Sequence, residues 1–242
     1  MLLSRFVTSR AAGGIAISNA IKNYLLVAKE ISKEFQLSVV YYGFEHEVDN
    51  LSDSNKLTNE MLNSTKNFKL GTIGRLVPGK NYPTMLKAVA KIVDVDPTVK
   101  FFVVGGGSSE QALIKVCKDL NIENNVIWLG RTEHIREFLS KIDLFILPSK
   151  YEGFGLVLLE AMVAKKPIIA ANNSAIPEVL GKTYEGLFST GDVSALAQQI
   201  KTAISDNKFS ESLVQSYSSQ LDLFDPSKMN INIKNVYSNA GF

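Results

Sequence analysis

From Asn67 onward, short runs of consecutive apolar residues alternate with stretches of helical periodicity, and nothing else in the sequence constrains the fold as tightly. The strand-like runs lie at 68–74, 99–104, 126–129, 144–147 and 167–171, the last three apolar throughout and the first two interrupted by Lys69, Thr72 and Lys100. The periodic stretches lie at 82–93, 109–120, 133–141, 156–164 and 193–204. A strand that is apolar at successive positions is buried on both faces, as in a parallel sheet covered by helices. Strands separated by helices carry the crossovers that a parallel sheet needs. The expectation is an α/β domain with a Rossmann-like, doubly wound parallel sheet. Asn81 stands where a helix cap is needed, and Pro83 falls in the first turn, where proline is tolerated.

The first 66 residues read differently. Ser18 suits a helix N-cap, and Ile21, Tyr24, Leu25, Ala28 and Ile31 follow at helical spacing. Residues 37–42 are strand-like and end at Gly43, and 46–66 are polar, as in a linker or a mobile loop. One helix and one strand are too little for a core of their own. Left with nothing to pack on, they point to self-association or to a separate partner domain.

Composition narrows the function classes. Hydrophobic residues are 45% and charged residues 21%, which suits a buried core and excludes a disordered chain. Lys and Arg number 26 against 24 Asp and Glu, a net of +2, so nucleic acid is not an expected partner. One cysteine excludes a disulfide framework and a cysteine-built metal site, and it suits a reducing cytosol. Cys117, in mid-helix, reads as core filler. No apolar run approaches the ~18 residues of a membrane span. Residues 1–10 have no long apolar stretch and do not read as a signal peptide. The expectation is a soluble, cytosolic, globular protein of one large domain or two small ones.

Doubly wound sheets bind ligands outside the carboxyl ends of their strands. The candidate loops are therefore 74–80, 105–109, 130–133 and 149–155. In the first, Gly74 ends a strand, and Arg75 and Lys80 precede a helix, an arrangement that suits a diphosphate or two ordinary surface cations. In the second, Gly105-Gly106-Gly107 lacks the third glycine of a dinucleotide fingerprint, since Glu110 stands there, so a flexible loop is the better reading. In the loop at 149–155, Gly153 and Gly155 bracket Phe154 before a helix, and backbone N–H groups can face a ligand there. Glu152 precedes them. Glu160 lies inside an apolar helix, where an acid needs a partner: sugar or ribose hydroxyls, or a structural salt bridge.

Together, these residues resemble the retaining glycosyltransferases of family 4. The resemblance is carried by Arg75 and Lys80, then Glu152 and Glu160 around Glu152-Gly153-Phe154-Gly155-Leu156, then Pro167 and Pro177-Glu178-Val179, in order and spacing. The run from Asn67 to about Asn207 is similar to that family's C-terminal domain, including Leu129-Gly130, the strand at 143–149, and Gly191-Asp192 before Val193. Residues 16–22 and 39–45 look like the last helix and strand of its N-terminal domain, and 224–237 like its terminal crossover helix. Ser174-Ala175 and Lys165-Lys166 stand where the family often has glycine.

The resemblance implies a GT-B architecture, in which two Rossmann-like domains face each other across a cleft. It implies a division into 1–66 (a remnant of the N-terminal domain plus linker), 67–222 (the nucleotide-sugar domain) and 223–242 (the crossover helix). Arg75 and Lys80 would bind the donor diphosphate and stabilise the leaving charge. Glu152 would be the third catalytic residue and would contact the donor sugar with the backbone of Gly153, Phe154, Gly155 and Leu156. Glu160 would take the ribose hydroxyls, Thr132 would face the base, and Gly74 completes the donor set. The donor is a UDP-, GDP- or ADP-sugar, with no metal and no separate cofactor. Transfer would retain configuration, the leaving phosphate helping to deprotonate a glycan or lipid-linked acceptor in cell-surface polysaccharide or lipopolysaccharide synthesis. The expected location is cytoplasmic, with peripheral contact at the inner face of the membrane. A complete two-domain enzyme takes roughly 300–400 residues, so the expectation is that most of the N-terminal domain is missing. The alternative is a truncated or split half that binds nucleoside diphosphate and is inactive without an acceptor-binding domain. A nucleotide-sugar epimerase on the same fold is less favoured, because it would need more acids and histidines. His46 and His134 read as ordinary exposed histidines.

Overall fold

The computed structural model describes Thr8, residues 10–45 and residues 67–241. His46, the expected linker at 46–66 and most of the chain start lie outside the described residues.

From Lys69 onward, strands and helices alternate as expected: β3 (Lys69–Ile73), α2 (Tyr82–Val93), β4 (Lys100–Val104), α3 (Glu110–Asp119), β5 (Val126–Gly130), α4 (Ile135–Lys141), β6 (Leu144–Leu147), α5 (Leu156–Val163), β7 (Ile168–Ala171), α6 (Ile176–Leu180), β8 (Leu187–Phe188), α7 (Val193–Ser205) and α8 (Asn207–Ser218). A short 3-10 turn at Pro78–Lys80 precedes α2. The six strands form one parallel sheet in the order β5-β4-β3-β6-β7-β8. Successive strands run outward from β3 in one direction and from β6 in the other. That is the doubly wound order, and β3 and β6 flank its switch point. Right-handed crossovers place the two runs of helices on opposite faces. In agreement, α2 packs on α3 and α7, while α5 packs on α4, α6 and α8.

The sequence dictates this burial. Every residue of β6 and β7 is buried, and β4 buries Phe101, Phe102, Val103 and Val104. On α2, Met85, Leu86, Val89 and Ile92 are buried at helical spacing. Burying each such side chain contributes about 1.5–3 kcal/mol before entropy is counted. Cys117 belongs to this core, and burial pushes its thiol up to about 11, with the nearby Glu123 adding to the shift.

Several elements depart from expectation. Four were not expected: β1 (Gly14–Ala16), β8, α6 and α8. The expected helix from Ile21 to Ile31 is α1 (Asn19–Val27), and the strand at 37–42 shortens to β2 (Leu37–Val39). Ser18 caps α1 as predicted, accepting from the Ile21 N–H. Asn81 occupies the cap position of α2 in a left-handed conformation, φ 55°, and makes no side-chain cap bond. Its amide instead donates to the Pro148 carbonyl at 3.2 Å, tying the end of β6 to α2.

The N-terminal segment does find packing. β1 and β2 pair in parallel, and Ala16, Ser18, Ile31 and Val40 are buried. The chain end meets it: after a 3-10 turn (Leu221–Phe224) comes α9 (Pro226–Asn239). The Phe44 N–H donates to the Phe224 carbonyl at 2.7 Å, and the Gly43 N–H points at Met229 Sδ at 3.1 Å.

Candidate functional site

The loops that leave β3 and β6 meet at the switch point. The Lys150 N–H donates to the Gly79 carbonyl at 2.8 Å and holds the two loops together. Lys80 Nζ donates to Glu152 Oε1 at 2.5 Å, and Ser149 Oγ donates to the same oxygen at 2.7 Å. Glu152 is 8% exposed and Ser149 wholly buried, so the two bonds satisfy a carboxylate oxygen that little water can reach. The Glu152 N–H donates to Ser174 Oγ at 2.8 Å, and Ser174 donates to Asn173 Oδ1 at 2.8 Å. The Tyr82 hydroxyl donates to the Gly74 carbonyl at 3.0 Å. Burial, reinforced by the charge of Glu152, pushes this phenol far above its ordinary range and keeps it a donor.

Beyond Glu152 the backbone is open. Gly155, at φ +90°, turns the chain into α5. Among the described residues, the N–H groups of Gly153, Phe154, Gly155, Leu156 and Val157 have no acceptor. A helix start carries partial positive charge from such groups. Phe154, Gly155, Leu156 and Val157 line a cleft of about 320 Å³ together with Gly74, Lys80 and Glu152, whereas Gly153, predicted to contact the donor sugar, stays outside that lining. The arrangement offers one fixed ammonium and a row of free N–H donors, which suits an anion with several oxygens.

The structure gathers some predicted residues here and leaves others apart. Gly74, Lys80, Glu152, Phe154, Gly155 and Leu156 line the cleft. Phe154 contributes backbone, because its ring is 3% exposed and packs on Tyr41, Tyr42 and Phe224 at centroid distances of 5.9, 5.4 and 5.5 Å. Arg75 is exposed in the loop after β3 and does not line the cleft. Glu160 is partly buried on α5, outside the cleft lining; burial raises its carboxyl above the usual range, and Arg136 pulls it back. Thr132 sits after β5, two strands from β3, or about 10 Å at normal strand spacing. It accepts from the N–H of His134, which is exposed as expected. Sequence reasoning missed Ser149, Ser174 and Tyr82. Only Ser149, in the loop that follows the strand at 144–147, gave a positional signal. Among the described residues no group of three or more His, Cys, Asp or Glu is placed to hold a metal ion. No helix among them is long and apolar enough to cross a membrane.

A doubly wound sheet with an anion-suited cleft at its switch point defines a class of ligand-binding α/β domains. Within that class, the chain belongs to the glycosyl transferases group 1 family, whose model matches residues 53–218. It is 31% identical over 208 residues to N-acetyl-alpha-D-glucosaminyl L-malate synthase of Bacillus anthracis, covering 85% of this chain and 54% of that protein. It is 26% identical over 220 residues to the capsular polysaccharide biosynthesis glycosyltransferase CapM of Staphylococcus aureus, covering 88% of this chain and 57% of that protein. The chain thus spans about half the length of these relatives. Its fold matches GT-B glycosyltransferase structures. The crystal structure of Anabaena Alr3699/HepE in complex with UDP and glucose superposes with a TM-score of 0.82 at 27% identity, covering 96% of this chain and 64% of that one.

Proposed function

We propose that residues 67–222 form the donor-binding domain of a retaining glycosyltransferase of family 4. In this reading, 1–66 belong to the acceptor-side lobe and its linker, and 223–242 form the helix that returns to it. The observation that carries the reading is the Lys80–Glu152 pair beside the unpaired N–H groups of 153–157, at the switch point of the sheet. UDP in the Anabaena neighbour supports a nucleotide ligand.

Lys80 exchanges Glu152 for the diphosphate of a UDP-, GDP- or ADP-sugar, and Arg75 closes on the phosphates from the loop after β3. Glu152, released, meets the sugar hydroxyls beside the 153–156 backbone. Glu160 takes the ribose hydroxyls, and the Thr132 loop faces the base. The bond from the anomeric carbon to the diphosphate oxygen breaks, and its electron pair leaves with the phosphate. The acceptor oxygen bonds to the same face of that carbon, and its proton passes to the leaving phosphate. Cations and N–H groups fixed around the departing charge lower the barrier. The acceptor is a glycan or a lipid-linked glycan at the cytoplasmic face of a membrane.

Calorimetry with UDP, GDP and ADP tests the site. Binding of at least one is expected, weakened about 10- to 100-fold in Lys80→Ala, as for loss of a charged hydrogen bond worth about 1.5–3 kcal/mol. Arg75→Ala is expected to weaken it as well. No binding of any of the three, or unchanged binding in both variants, overturns the assignment. Transfer requires an acceptor surface that closes over the donor. These 242 residues by themselves are therefore expected to bind nucleotide and to turn over negligibly.

A further inference from the structure

Glu178 lies on α6, outside the cleft, and its carboxylate is fully engaged by the N-terminal segment. Oε1 accepts from the Ala20 N–H at 2.6 Å. Oε2 accepts from the Asn19 N–H at 2.8 Å, from Asn19 Nδ2 at 3.0 Å and from the Tyr41 hydroxyl at 3.2 Å. The two backbone donors open α1 and have no partner within the helix, and a carboxylate there also meets the positive end of the helix. Burial and then the Glu178 charge push the Tyr41 phenol upward, so it remains a donor at neutral pH.

The same end of α1 reaches the loop at 153–155. Ser18, buried at the N-cap, accepts from the Ile21 N–H at 3.1 Å and gives its own hydroxyl to the Gly153 carbonyl at 2.6 Å. No described peptide is cis. In a trans peptide, the carbonyl of one residue and the N–H of the next point opposite ways. Anchoring the Gly153 carbonyl on Ser18 therefore turns the Phe154 N–H away from α1, where it joins the unpaired donors. With glycine on both sides of Phe154, little else in the backbone would hold that orientation. Ile21 closes the α1 side, its Cδ1 lying 3.5 Å from where a Cβ on Gly153 would stand.

We infer that Glu178 is a positioning residue for the anion site. Glu178 seats α1, α1 carries Ser18, and Ser18 sets the 153–154 peptide so that its N–H is available to phosphate. The inference rests on reading the cleft as a diphosphate site. It makes nucleotide affinity depend on the docked N-terminal segment, and docking depend on nucleotide, since such coupling is reciprocal.

The test uses the full chain, with calorimetry against UDP, GDP and ADP and site-resolved amide exchange. In Glu178→Ala, the Ala20 and Ile21 amides are expected to exchange faster, those of β4 and β6 to stay protected, and affinity to fall about tenfold, or about 1.4 kcal/mol. Ser18→Ala gives a similar loss of affinity with β4 and β6 equally protected. Glu178→Gln, which keeps one carbonyl acceptor, falls between parent and Glu178→Ala. Nucleotide added to the parent slows exchange at Ala20 and Ile21, a response that a purely structural cap would not give. Full affinity in both Glu178→Ala and Ser18→Ala overturns this inference alone. Absence of binding by the parent chain overturns the donor reading and the inference with it. If Glu178→Ala loses protection throughout the sheet, Ser18→Ala and the nucleotide response of the parent decide.

Discussion

The loop after β4 and the loop after β6 both carry glycines at the carboxyl edge of the sheet, and their surroundings differ. At Gly105, φ is +136° and a Cβ would lie 1.9 Å from the Gly74 carbonyl oxygen; at Gly107 it would lie 2.4 Å from that of Leu76. The loop is fastened to its neighbours by the Gly105 N–H on the Gly130 carbonyl at 2.7 Å and the Leu76 N–H on the Gly106 carbonyl at 3.1 Å. At Gly153, a Cβ would meet only side chains, none nearer than 3.5 Å. Around it, consecutive N–H groups stay open toward the cleft and α5. Glycine permits close approach in both loops. In the first, backbone makes the approach. In the second, the side chains of Ile21 and Ile17 border the glycine at ordinary contact distance.

The sharpest way to break this contrast is Gly105→Ala. Its strained φ alone costs about 1–3 kcal/mol, and the collision with rigid backbone adds to it. A loss of at least about 3 kcal/mol in urea unfolding is expected, and a loss below about 1 kcal/mol would show that the first loop is as open as the second. Gly155→Ala should cost less, about 1–2 kcal/mol for its left-handed backbone. The nearest obstacle to its Cβ is the flexible tip of Leu158, at 3.2 Å. The smallest effect concerns Glu160, on the helix behind the second loop. Burial raises its carboxyl, so the folded chain keeps that proton to higher pH than the unfolded chain does. The stability tied to that proton is complete below the unfolded value and is lost as pH rises through the folded value. Glu160→Gln should therefore unfold at slightly higher urea than the parent at pH 7, with the difference vanishing under acid. In the same samples, nucleotide binding should weaken.

The sheet was legible because its longer strands are dominated by consecutive apolar residues, without a break in β6 and β7, a local signal that survives any detail of packing. β1 and β8 were not, since two or three residues carry no period. α8 buries only Leu213 and Tyr217, so its apolar face is too thin to stand out. At the site, Lys80 and Glu152 could each be picked out as candidates, because both sit on loops at the carboxyl edge of the sheet, but their ion pair could not. Nor could the bonds of Ser18 and Glu178, because they join positions 135 to 159 residues apart, and no spacing rule spans that distance. The expectation that the N-terminal helix has nothing to pack on failed for the same reason. Its anchors are hydrogen bonds and rings from distant chain, not a hydrophobic stripe.

The Phe154 ring carries a consequence for the order in which the molecule is made. It touches Tyr41 and Tyr42 from near the start of the chain and Phe224 from near its end. During synthesis the early parts of a chain emerge and begin to fold first. All six strands of the sheet are out of the ribosome before Phe224 appears. The turn that precedes α5 thus gains its Phe224 contact only after all six strands have emerged, so the cleft beside it is completed when the sheet already stands.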